Sequence, residues 1–120
     1  MGRWIKVVLW LLLVAPAMAF ATTLQIDAKV TRTLASDEQK FGGCMAWLSV
    51  SPAGEGLDCN SGNWVTFSCS GEHVTKSSAL RMFDSAQMAF LMDRTVRVTV
   101  DDSRKHSGWC LVERIDVLSS

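Results

Sequence analysis

Four cysteines constrain this chain more than any other feature of its sequence: Cys44, Cys59, Cys69 and Cys110. The chain has 120 residues, which leaves room for one domain with a moderate hydrophobic core. An even number of cysteines in a small exported protein is typical of disulfides, and four cysteines allow three pairings. Whether the chain is exported therefore decides what these cysteines do.

Residues 1–21 have the three parts of a secretory signal peptide. The parts are the bases Arg3 and Lys6, the apolar run Val7–Val14, and small residues that allow cleavage after Ala19 or Ala21. The run is shorter than the roughly 20 apolar residues that span a bilayer, so we expect no stable membrane insertion after cleavage. The sequence predicts a secreted or periplasmic protein.

The predicted mature part is a single domain over residues 22–120. Removing 21 of the 120 residues leaves 99, with all 12 acidic and ten of the 12 basic side chains, for a net charge of −2. Mean hydropathy is positive for the whole chain, which excludes an intrinsically disordered protein. A slightly acidic domain lacks the basic excess of nucleic-acid binders, so no nucleic-acid partner is expected.

The hydrophobic pattern predicts five strands and one helix. A period of two marks the strands, over residues 24–34, 44–50, 64–69, 95–100 and 109–118. Apolar residues three and four apart predict an amphipathic helix over 77–93, with Ser77 or Ser78 as its cap. The polar segment 101–108 is predicted to be a turn.

The resulting order is β-β-β-α-β-β. A five-stranded Greek-key barrel with its helix between strands three and four has the OB-fold arrangement. An α+β structure, with an antiparallel sheet packed on one helix, has the same order and is the alternative.

A hairpin of the second and third predicted strands, with Cys44 opposite Cys69, brings inward-facing residues together. The pairs in that register are Ala46 with Phe67 and Leu48 with Val65. In a barrel of this topology the third and fifth strands run parallel, which brings Cys59 and Cys110 to one end. We therefore predict the disulfides Cys44–Cys69 and Cys59–Cys110.

A zinc site is the alternative use of the cysteines. The segments Cys69-x-x-x-His73 and His106-x-x-x-Cys110 would supply two thiolates and two imidazoles. Neither spacing is that of a common zinc knuckle, and the barrel topology sends Cys69 and Cys110 to opposite ends. We therefore predict no metal and no cofactor.

The outward residues of strands two and three are the predicted ligand-binding face. In the register above, Trp47 faces Thr66 and Ser49 faces Trp64, so the two indoles are diagonal neighbours. Aromatic rings beside hydroxyl groups suit stacking on sugar rings, and this face of an OB barrel binds oligosaccharides and oligonucleotides. The alternative is that the indoles pack on the barrel or form a protein interface.

The sequence contains no strong pattern of catalytic residues. Asp102, Ser103, His106 and Ser107 are close in sequence, but residues of a solvated turn provide no oriented triad. We therefore predict that the protein is not an enzyme.

The element order, the cysteines and the helix followed by strand Thr95–Val100 (TVRVTV) resemble the small B subunits of bacterial AB5 toxins, especially the subtilase-cytotoxin and pertussis-like branch. The resemblance spans about residues 24–118. It implies an OB-fold, non-enzymatic, glycan-binding protein that can assemble as a homo-oligomeric ring. It does not place the family's sialic-acid-binding serine at a residue of this chain.

The sequence thus predicts an exported, disulfide-bonded binding module with a glycan or protein ligand. The alternative is a periplasmic protein-interaction or inhibitor protein of the bacterial envelope.

Overall fold

The computed structural model describes residues 22–37 and 39–119, so the predicted signal peptide lies outside the described residues. The elements follow the predicted order: β1 Thr23–Ala35, β2 Cys44–Leu48, β3 Trp64–Thr66, α1 Lys76–Leu91, β4 Thr95–His106 and β5 Trp109–Val117. Short 3₁₀ turns at Gln39–Phe41 and Ala53–Glu55 lie in the loops on either side of β2.

The five strands close into a barrel in the order β1-β2-β3-β5-β4. All neighbouring pairs are antiparallel except β3 and β5, which are parallel. The predicted five-stranded barrel with one helix is therefore confirmed, and the open sheet of the α+β alternative is excluded. Among the described residues, no helix is both long and apolar enough to cross a membrane.

Helix α1 buries a stripe of small and aromatic residues against the barrel. Ala79, Phe83, Ala86 and Ala89 are its buried residues, and the Phe83 ring lies 5.7 Å from that of Phe67. This spacing of three and four residues is the one that the sequence pattern predicts. The cap is Thr75 rather than Ser77 or Ser78, because the Thr75 side chain accepts the backbone N–H of Ser78.

The two disulfides are Cys44–Cys69 and Cys59–Cys110, each with a Cα–Cα distance of 5.6 Å. This is the pairing that the sequence argument predicts. Both distances are usual for disulfides. The cysteines are therefore not available as the thiolate ligands of the zinc alternative.

The predicted register of β2 and β3 is wrong by two residues. Ala46 pairs with Val65 and Trp47 with Trp64, whereas Cys44 was expected opposite Cys69. Strand β3 ends at Thr66, and Ser68 has a left-handed φ of 59°, so Cys69 lies beyond a bend in the chain. A register shift of two residues leaves every side chain on the same face of the sheet. The residues that were predicted to face inward therefore still do so.

The predicted polar turn over residues 101–108 is also wrong. Strand β4 continues to His106, and only Ser107 and Gly108 form the hairpin turn, with φ of 52° and 85°. Two positive φ angles are typical of a two-residue hairpin with a type I′ turn. A bulge between Asp101 and Lys105 interrupts the alternation, so the strand cannot be recognised from a period of two.

Candidate functional site

Two tryptophans and an arginine form a row across the outer surface of three neighbouring strands. Arg32 of β1 pairs with Trp47 of β2, which pairs with Trp64 of β3. The indole centroids are 5.3 Å apart in an edge-to-face arrangement, and the Arg32 Cζ lies 5.1 Å from the Trp64 ring centroid. We call these three residues the tryptophan row.

The tryptophan row is partly open to solvent. Both indoles are half-buried and Arg32 is exposed. Edge-to-face packing and a guanidinium over a ring both hold the aromatic groups in fixed orientations. The row therefore presents apolar ring surface beside a positive charge.

The two hydroxyl residues of the predicted ligand-binding set are both engaged in hydrogen bonds to the backbone. Ser49 is exposed beyond the end of β2, and its Oγ accepts the backbone N–H of Lys29 at 2.8 Å. Thr66 pairs with Met45 and is fully buried, with its hydroxyl donated to the Phe41 carbonyl at 2.8 Å. Because Thr66 is neither exposed nor opposite Trp47, it cannot contribute to a ligand at the row.

A second polar group lies where the turn after β3 meets the end of β4. Ser68, Glu72, His73 and His106 form what we call the histidine cluster. The Gly71 N–H donates to the Ser68 carbonyl at 2.9 Å, and this tight turn returns the chain toward β4. The two imidazole centroids are 4.6 Å apart.

Ser68 and Glu72 contact opposite sides of the His106 ring. The Ser68 Oγ lies 2.8 Å from His106 Nε2, and a Glu72 carboxylate oxygen lies 3.4 Å from His106 Nδ1. The His73 N–H donates to the same Ser68 Oγ at 3.2 Å. His106 and Ser68 are buried, whereas the Glu72 side chain is 65% exposed.

The His73 ring is held in one tautomer. Its Nε2 lies 2.9 Å from the Lys105 carbonyl oxygen, which can only accept a hydrogen bond. In the neutral ring the proton is therefore on Nε2, and Nδ1 carries a lone pair.

Burial holds the pKa of His106 below its ordinary value, and the neighbouring His73 lowers this pKa further. The Glu72 carboxylate acts in the opposite direction and only partly offsets both effects. His106 is accordingly a neutral imidazole near pH 7, with one nitrogen lone pair available for a proton or a metal ion.

Serine, histidine and carboxylate follow one another in the order of an acyl-transfer triad. However, the Ser68 side chain is completely buried, so an acyl donor cannot reach its Oγ in this conformation. The absence of enzymatic activity stays a prediction.

Asp102 and Ser107, two other residues of the candidate catalytic set, form hydrogen bonds with backbone groups. Asp102 accepts the N–H groups of Thr22 and Asp58, and the Ser107 hydroxyl donates to the Lys40 carbonyl. They are separate from the histidine cluster, which His106 alone joins.

Part of the histidine cluster was predicted from the sequence as half of the zinc alternative. The zinc alternative named His73 and His106, the two histidines of the chain, and the structure brings them together. Ser68 and Glu72 were missed because no spacing motif marks them. The left-handed φ of Ser68, which sets the turn, leaves no signature in the sequence.

A scan against protein-family models, a search of curated proteins and a search of solved structures find no match to this chain.

Proposed function

We propose that this protein is an exported, non-enzymatic binding domain whose tryptophan row recognises a glycan. The proposal depends on one observation above all: two half-buried indoles and an exposed guanidinium share one outer row of the barrel. Indole rings present flat apolar surface to the C–H faces of a sugar, and a guanidinium pairs with a carboxylate or a sulfate. An acidic oligosaccharide is the ligand class that uses all three side chains.

Two other observations support the exported binding domain. Two disulfides are typical of secreted and periplasmic proteins, because thiols stay reduced in the cytosol. The closed barrel with its helix is the predicted fold on which the resemblance to AB5 toxin B subunits rests. That resemblance favours a glycan ligand and a homo-oligomeric ring.

A glycan array followed by titration calorimetry with the strongest ligand tests the proposal. We expect Trp47→Ala to weaken that binding about tenfold or more, which corresponds to about 1.4 kcal/mol of lost contact. Arg32→Gln should weaken acidic glycans selectively. Phe90→Ala is the matched control, since it removes an exposed aromatic ring from α1 and leaves the row intact. If no glycan on the array bound the protein, or if Trp47→Ala left the binding unchanged, a glycan site at this row would be contradicted.

A protein ligand is the second candidate. Tryptophan and arginine are also the residues most enriched at the centres of protein interfaces. Several apolar side chains of α1 and of its C-cap residue are exposed as well, namely Leu80, Met88, Leu91 and Met92. Sedimentation of the purified mature domain checks this candidate, because an oligomer that Trp47→Ala dissociates would place a protein contact at the row.

A further inference from the structure

Three potential metal ligands converge in the histidine cluster. Glu72, His73 and His106 each place one ligand atom within 4.8 Å of those of the other two. Glu72 and His73 come from the turn after β3, and His106 from the last position of β4. Two imidazoles and a carboxylate suit a divalent first-row transition metal.

Both rings are held through one nitrogen, which leaves the other nitrogen available. His73 donates from Nε2 to the Lys105 carbonyl, and His106 Nε2 bonds the Ser68 hydroxyl. Histidines that ligate metals usually make this kind of outer hydrogen bond through the nitrogen that does not bind the ion. Nδ1 of each ring is then the ligand atom.

The distances are close to those of a tetrahedral site. With zinc–ligand bonds of about 2.0–2.1 Å, two ligand atoms of a tetrahedron lie about 3.3–3.4 Å apart. His106 Nδ1 and the Glu72 carboxylate oxygen are already 3.4 Å apart. All ligand-atom separations are within 4.8 Å, so the cluster needs an adjustment of about 1.4 Å at most to reach tetrahedral spacing.

The most buried ligand is held in place by its surroundings. A Cβ added at Gly42 would lie 2.7 Å from the His106 ring, so the β1–β2 loop packs closely on it. The Cys44–Cys69 disulfide ties that loop to the residue beside Ser68. A buried, closely packed histidine beside an exposed carboxylate allows an ion to enter from solvent.

We propose that Glu72, His73 and His106 form a binding site for one divalent transition-metal ion, with zinc as the best fit. Three protein ligands leave the fourth position of a tetrahedral ion to water or to a group of a bound partner. This site is independent of the tryptophan row.

The test uses mature, disulfide-bonded protein treated with a chelator and then titrated with zinc by calorimetry. We expect one ion per chain. We expect Glu72→Gln to weaken zinc binding by at least roughly 10- to 100-fold. A loss of that size follows even when only an outer hydrogen-bond partner of a metal ligand is removed. Glu72 is largely exposed, so this variant should fold normally. Glu55→Gln, at another exposed carboxylate, is the matched control and should bind as the wild type does.

Nitrogen NMR of the histidine side chains identifies independently which imidazole nitrogens bind zinc. Zinc should shift the Nδ1 resonances of His73 and His106 while their Nε2 resonances keep the pattern of a protonated nitrogen. A thiol assay before titration should find no free cysteine, so that thiolates do not account for the binding. The proposal is overturned if wild-type protein shows no saturable zinc binding, or if Glu72→Gln and His73→Gln both bind as tightly as the wild type.

Discussion

Asp101 is a buried carboxylate at the point where β4 bulges. One of its oxygens accepts hydrogen bonds from the N–H and hydroxyl of Ser103, and the other accepts from the Arg104 guanidinium at 2.8 Å. Burial alone would raise the pKa of Asp101, but the bonds from Ser103 and Arg104 together hold this pKa below its ordinary value. The ionised form is therefore the one that the fold stabilises.

We expect Asp101→Asn to lower the free energy of unfolding at pH 7 by about 1.5–3 kcal/mol, the usual contribution of hydrogen bonds to a charged group. Because the pKa is lower in the folded state, the contribution of Asp101 is complete above its unfolded pKa near 3.9 and is lost as the pH falls through the folded value. Urea denaturation of both proteins across this acidic range measures the difference.

Asp84→Asn is the control, because Asp84 is exposed on α1. Its effect should stay within about 0.5 kcal/mol at every pH. If the difference between wild type and Asp101→Asn did not shrink in acid, the charge of Asp101 would not be the cause of its stabilising effect.

At the scale of elements, the loop between β1 and β2 depends on Gly42. This residue has a φ of 81°, and an added Cβ would lie 2.5 Å from the Thr66 hydroxyl and 2.7 Å from the His106 ring. Gly56 also has a positive φ, of 103°, but an added Cβ there would meet nothing within 4 Å. Alanine substitutions at these two glycines therefore distinguish the cost of a strained backbone from the cost of steric crowding.

We expect Gly56→Ala to cost about 1–2 kcal/mol of unfolding free energy from its left-handed backbone alone. Gly42→Ala should cost about 1–3 kcal/mol more, because the methyl group also overpacks the contact between the loop and His106. Thermal and urea denaturation of the two variants compare these costs. Equal losses would mean that the neighbours of Gly42 move aside.

The elements themselves were predictable to different degrees. Alternation and helical spacing identify all five strands and α1, because each pattern depends only on which side chains face the core. The extension of β4 to His106 was not predictable, since its bulge inserts three residues, 102–104, that have no partner on β5 and break the alternation. For the same reason His106 was assigned to a solvated turn although it is buried.

At the scale of the whole molecule, the disulfides connect distant parts of the barrel. The Cys59–Cys110 disulfide closes a sequence separation of 51 residues, and Cys44–Cys69 one of 25. A disulfide stabilises a small domain mainly by restricting its unfolded chain, and more so for a longer loop.

Removing either disulfide by double Cys→Ala substitution should cost about 2–5 kcal/mol. Loss of Cys59–Cys110 should cost about 0.6 kcal/mol more, because its loop is roughly twice as long. Denaturation of the two double variants, with a non-reducing peptide map of the wild type, measures both effects. A larger loss from removing Cys44–Cys69 would show that loop length does not control the difference.

The sequence by itself determined the order of five strands and one helix, because side-chain alternation and helical spacing depend on which residues face the core. Closure of the strands into a barrel and the two disulfides were predicted from that order, and the tertiary structure decided both. The tertiary structure decided the β2–β3 register, which sets Trp47 against Trp64, and the assembly of Glu72 with the two histidines. The physical reason is that these contacts depend on where strands end and bend. The left-handed turn at Ser68 and the bulge in β4 set those points, and the hydrophobic pattern of the sequence indicates neither of them.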